Sequence, residues 1–131
     1  MANELIIGKK DTLSLISDNP LGELIKPLSR EILLFDSYVA GTSYIKDESV
    51  FDDIKECDKL ILQREPENRF DENAILVLDG KKRKLGYVPE KDNIVFTRLM
   101  DAGKYLIAKV KSYEPKGAFR QINISIYLVD F

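Results

Sequence analysis

The sequence contains no His, no Trp and a single Cys among its 131 residues. Without His, a Ser-His-Asp triad, a Cys-His pair and imidazole-ligated zinc are all excluded. One Cys excludes an intrachain disulfide and a Cys-rich metal site. Cys57 stands between Glu56 and Asp58, whose charges oppose a thiolate, so it reads as an ordinary reduced thiol and not a nucleophile. Gly-rich phosphate loops of the Walker or dinucleotide type are missing. No apolar run approaches the ~18 residues of a membrane-spanning helix. Leu5-Ile6-Ile7 is too short for a signal peptide and has no basic region before it. These absences point to a cytoplasmic protein without a membrane partner or a cofactor. Enzymatic chemistry, if there is any, must rest on carboxylates.

What is present is globular: 44% hydrophobic and 32% charged residues, enough for one domain of ordinary size. The net charge of −2 argues against a generic nucleic-acid binder, but the total hides a division. Residues 1–80 carry 9 basic and 17 acidic side chains, a net −8, whereas residues 81–120 carry 11 and 4, a net +7. The basic stretch holds the run Lys81-Lys82-Arg83-Lys84. It also holds Lys109 and Lys111, which share a predicted strand face with Tyr105 and Ile107. Cations and rings on one sheet face suit single-stranded nucleic acid, since cations track phosphates and rings stack bases. The run by itself reads as a solvated turn.

Residues 1–30 differ from the rest. Asp18-Asn19-Pro20, Gly22 and Pro27 interrupt short apolar patches, which predicts an extension with one or two short helical turns. From residue 31 to 131 the punctuation becomes regular. Strands are predicted over 32–39, 59–64, 74–78, 85–88, 105–111 and 120–128. Leu60 and Leu62 fall on one face, and Ile122, Ile124, Ile126 and Leu128 alternate with polar neighbours. Asp79-Gly80 between apolar runs is a hairpin signal, and Pro115-Lys116-Gly117 is a turn. Residues 45–57 read as a long loop or a short helix. Residues 91–101 carry Val95/Leu99 and Phe96/Met100 at helical spacing, with Gly103 as C-cap. The fold class is mainly β: a small closed or partly closed barrel of about six strands with one or two short helices.

The densest polar segment, Arg64 to Asn73, joins two apolar strands. It suits either a functional loop on a rigid scaffold or a solvated connection in which Pro66, Asn68 and Asp71 serve turn geometry. Glu65, Asp71 and Glu72 could hold Mg²⁺ as in a nuclease or phosphoesterase, with a Lys from 81–84. Their spacing is not diagnostic.

Three segments resemble the HIRAN domain family. They are Val39-Ala40-Gly41-Thr42-Ser43-Tyr44, the ungapped block from Leu62 to Val77 with Arg-Glu-Pro-x-Asn-x-aromatic-Asp-x-x-Ala-Ile-x-Val at its centre, and Leu85-Gly86-Tyr87-Val88-Pro89. The resemblance covers about residues 31–128. It implies a barrel related to OB-folds and binding of single-stranded DNA at its free 3′ end, in DNA repair or stalled-fork processing, alongside other DNA-processing proteins. By matching position it implies Tyr44 and Phe70 as stacking rings, Asp71 as acceptor of the terminal 3′-hydroxyl, Asn68 as support for that end and Tyr87 as lining for the phosphate path. Two positions depart from the family pattern. Ser43 replaces a basic residue before the first ring, and Pro89-Glu90 stands where a Lys is expected. Lys91 or the 81–84 run is the candidate substitute. The alternatives are the carboxylate-dependent hydrolase and a protein-interaction domain without DNA affinity.

Overall fold

The computed structural model describes residues 29–117 and 119–130, and residues 31–129 pack as one compact unit. The extension predicted for residues 1–30 falls, up to residue 28, outside the described residues. Six strands form one sheet: β1 (Arg30–Tyr38), β2 (Lys59–Arg64), β3 (Ile75–Leu78), β4 (Lys84–Tyr87), β5 (Tyr105–Lys116) and β6 (Phe119–Asp130). Their order is β1-β6-β5-β2-β3-β4. The partners β2–β3, β2–β5, β3–β4 and β5–β6 are antiparallel. One helix, α1 (Glu90–Asp101), follows β4. The mainly β class and the six strands agree with the sequence pattern. Among the described residues no helix is long and apolar enough to cross a membrane.

The core follows from alternation. Ile122, Ile124 and Ile126 of β6 are fully buried and meet Leu60, Leu62, Val77, Leu85, Leu106 and Ala108 in one cluster. Burying an Ile is worth about 2 kcal/mol. A one-residue slip of β6 would expose all three and bury Gln121, Asn123 and Ser125, so the register is strongly fixed. Leu128, expected inside with them, is only half-buried.

Curling brings the two ends of the sheet together. Just beyond β1, Ala40 pairs with Tyr87 of β4: the Ala40 N–H donates to the Tyr87 carbonyl at 2.7 Å, and the Tyr87 N–H to the Ala40 carbonyl at 2.9 Å. The approach is possible because residue 86 is Gly. A Cβ there would lie 2.3 Å from the Ala40 carbonyl oxygen and 2.7 Å from Val39 Cγ1.

Some local expectations are corrected and others are refined. The β3–β4 hairpin exists, but Asp79-Gly80 does not supply the positive φ; Lys82 does, at 65°. The Asp79 carboxylate instead caps a wider turn, accepting from the Lys81 and Arg83 N–H groups and from Arg83 Nε. The segment 45–57 holds a short 3-10 turn at Glu48–Phe51 that buries Val50 and Phe51. A second 3-10 turn spans Thr42–Tyr44. Strand β5 runs through Pro115 and Lys116, and the chain reverses at Gly117, where φ is 65°. Ala74 lies just outside β3. On α1 the buried face is Asn93, Phe96 and Thr97, while Val95 is exposed.

Replacing Gly86 with Ala is expected to destabilise the protein by about 2 kcal/mol or more, because backbone must move to admit the methyl group. Gly80→Ala, with nothing within 4 Å of the new atom, is expected to stay within about 0.5 kcal/mol. Urea denaturation of both variants measures the contrast.

Candidate nucleic-acid interface

The Arg64–Asn73 segment is a tightly braced loop. At its start, Arg64 donates to the carbonyls of Ala74 and Glu72 and pairs with Asp101 at 2.9 Å, so one guanidinium ties both loop ends to α1. Inside the loop, Asn68 Oδ1 accepts from the N–H groups of Phe70 and Asp71 at 2.8 and 3.0 Å. Its Nδ2 donates to Glu65 Oε1 at 2.7 Å. The same Glu65 oxygen accepts from the Tyr87 hydroxyl at 2.7 Å. Hydrogen bonds from Asn68 and Tyr87, with the charge of Lys84 nearby, hold the Glu65 carboxyl below the usual carboxylate range.

Asp71 is fixed at both oxygens. Oδ1 accepts from the Asn73 N–H at 2.9 Å, and Oδ2 from Asn93 Nδ2 at 2.8 Å. Asn93 is buried on the face of α1 that also carries Thr97, which donates to the Asn73 carbonyl at 2.6 Å. These two helix residues were not among the expected site residues. Their signal was present, since both fall on the face of Phe96 and Met100, where polar side chains need a partner.

This bracing leaves Phe70 out in solvent. Its exposure is 92%, and that of Tyr44 is 86%. Neither ring belongs to the core. Phe70, Asp71, Asn68, Tyr87, Asn93 and Glu90 share the wall of a cavity of about 270 Å³ with Ala40, Ala74 and Val88. Four expected site residues therefore meet at one concavity. Tyr44 and Ser43 lie outside its wall, on the exposed turn that follows Ala40. Gly41, at φ 77°, opens that turn, and Thr42 is buried beneath it. The Thr42 hydroxyl donates to the Arg120 carbonyl and accepts from the Arg120 N–H, both at 3.0 Å.

Other expected groups are placed elsewhere. Lys91 sits 5.5 Å over the Tyr38 ring and lines grooves with Phe35 and Asp92, not the Phe70 cavity. The Tyr87 hydroxyl is engaged by Glu65. Lys109 pairs with Glu31, and Lys111 with Asp36 at 2.9 Å, so the basic face expected on β5 is neutralised by β1. The Glu31–Lys109 hydrogen bond holds Glu31 below its usual range and Lys109 above its own. Tyr105 is exposed, but Ile107 is buried. Of the three carboxylates considered for Mg²⁺, Glu65 and Asp71 are occupied by protein donors, and Glu72 is exposed. Among the described residues no group of three or more Asp, Glu or Cys side chains converges as a metal site.

The lowered Glu65 sets a pH dependence. A carboxyl depressed by folding contributes stability above its unfolded pKa, and that contribution fades as pH falls through the folded value. The stability gap between wild type and Glu65→Gln is therefore expected to be constant above about pH 5 and to shrink below about pH 4.5. Denaturant titrations at several pH values measure it.

Comparison with known proteins agrees with this architecture. The family described as "HIRAN domain" matches residues 32–129. The crystal structure of a protein from Lactobacillus plantarum superposes with a TM-score of 0.74 at 25% identity, covering 79% of this chain and 99% of that one. The crystal structure of the HIRAN domain of human HLTF gives a TM-score of 0.59 at 21% identity, covering 76% and 79%. An NMR structure of the same human domain in its DNA-bound conformation gives 0.56 at 19% identity, with the same coverage. No curated protein matches. With the family match spanning β1 to β6 and the braced loop between β2 and β3, this chain belongs to the HIRAN domain family.

Proposed function

We propose that this protein is a DNA-binding module that holds the free 3′ end of single-stranded DNA. The observation that carries the reading is the pairing of Phe70 and Asp71. A ring 92% exposed stands next to a carboxylate locked at both oxygens on the wall of a cavity. A base stacks on the exposed ring whatever its identity, because every base has a π-face. Tyr44, on the neighbouring turn, supplies a second stacking surface. The Asp71 carboxylate only accepts hydrogen bonds. It takes a terminal 3′-hydroxyl, whereas a 3′-phosphate or a continuing strand brings negative charge against it. Because Asn93 and the Asn73 N–H fix it in advance, little ordering cost remains on binding. Family membership and the DNA-bound form of the human HLTF domain support the reading. A setting in DNA repair or stalled-fork processing follows from the same kinship.

Fluorescence anisotropy with 3′-hydroxyl and 3′-phosphate oligonucleotides is the test. Wild type is expected to prefer the hydroxyl end about tenfold or more. Asp71→Ala is expected to erase the preference, and Phe70→Ala to weaken both ligands roughly tenfold. Equal affinity of wild type for both ends overturns end recognition. Mg²⁺-dependent cleavage that is lost in Glu65→Ala favours the carboxylate-dependent hydrolase instead.

A further inference from the structure

The cavity wall contains two acidic residues, Asp71 and Glu90, and no Lys or Arg. A strand whose end occupies it brings phosphates, and these need a cation. We infer that Lys84 supplies it, an assignment that rests on the DNA-end reading above. Lys84 is exposed, and its ammonium lies 3.3 Å from the Tyr87 hydroxyl and 4.7 Å from the centroid of the Tyr87 ring. Tyr87 is itself part of the cavity wall, and its hydroxyl is held by Glu65. The ammonium is therefore held against a residue of the wall. Of its three N–H donors, one is engaged among the described residues.

The competing cations are worse placed. In the same basic run, Arg83 is bound to Asp79 and Asp53, and Lys81 lies 4.0 Å from Asp53. Lys91 faces Tyr38 on another groove. Arg69 lies in the Phe70 loop, but no contact among the described residues stations its head group. Lys84 is thus the cation held against a residue of the cavity wall without a carboxylate partner of its own among the described residues. It acts on the strand's phosphates and leaves recognition of the terminal hydroxyl to Asp71.

The salt dependence of binding separates a phosphate contact from a structural role. Anisotropy titrations with a 3′-hydroxyl oligonucleotide across a range of NaCl concentrations give the slope of log K against log salt. Each phosphate contact on a single strand contributes about 0.7 to its magnitude. Lys84→Gln is expected to lower the slope by about 0.7 and to weaken binding about three- to tenfold at low salt, leaving the 3′-hydroxyl preference unchanged. Lys84→Arg is expected to keep the wild-type slope. Lys91→Gln and Arg69→Gln are expected to leave it unchanged. A wild-type slope in Lys84→Gln, or a drop in Lys91→Gln or Arg69→Gln in its place, overturns the assignment while end recognition stands. Absence of any wild-type binding overturns both.

Discussion

The fold depends on one close approach, that of β4 to the chain leaving β1. Two backbone hydrogen bonds between Ala40 and Tyr87 join opposite ends of the sheet, and Gly86 is the residue that lets them form. An open sheet of this order would leave β1 and β4 separated by four strands. Curled, it places three things at one end: the turn carrying Tyr44, the β2–β3 loop carrying Phe70 and Asp71, and the start of α1. Val88 extends the same seam, since its N–H donates to the Ile75 carbonyl at the foot of that loop. The candidate site is thus a consequence of sheet closure. The motif residues Gly41, Ala40, Gly86 and Tyr87 serve the backbone geometry that presents the rest.

The second layer of organisation is polar bracing. Glu65, Asn68, Asp71 and Asn93 form a connected set in which nearly every side-chain group has a partner on the loop, on β4 or on α1. Such bracing fixes the backbone and leaves one apolar side chain outside. Exposure of Phe70 is thereby stable and not a failure of packing. The charge layout follows the same logic. The +7 of residues 81–120 is partly offset, because Lys109, Lys111, Arg83 and Arg120 each meet a carboxylate from outside that stretch. Exposed pairs of this kind add little stability, but they cancel the local field.

Much of this was legible in the sequence. Period-two alternation in 120–128 and the apolar run at 74–78 located two strands directly, since each depends only on which face is buried. The ungapped motif marked the loop that the structure braces. What was not legible has physical causes. The Asp79-Gly80 signal pointed to a tight turn, but the Asp79 carboxylate has three donors to collect, and a wider turn satisfies them. The partners of Lys109 and Lys111 come from β1, more than seventy residues away in the chain, and linear charge counts cannot see such pairing. Asn93 falls on the face of Phe96 and Met100, but its partner, Asp71, stands 22 residues earlier in the chain, and helical spacing cannot show such a pairing.

The central claim is that sheet closure builds one DNA-end site from segments far apart in sequence. A titration of isotopically labelled protein with a 3′-hydroxyl oligonucleotide, followed by amide chemical shifts, tests it most directly. The shifts are expected to concentrate at Thr42–Tyr44, Asn68–Asn73, Lys84–Tyr87 and Glu90–Asn93 together. Shifts confined to the outer face of β1 and β5, or none at saturating oligonucleotide, would contradict it.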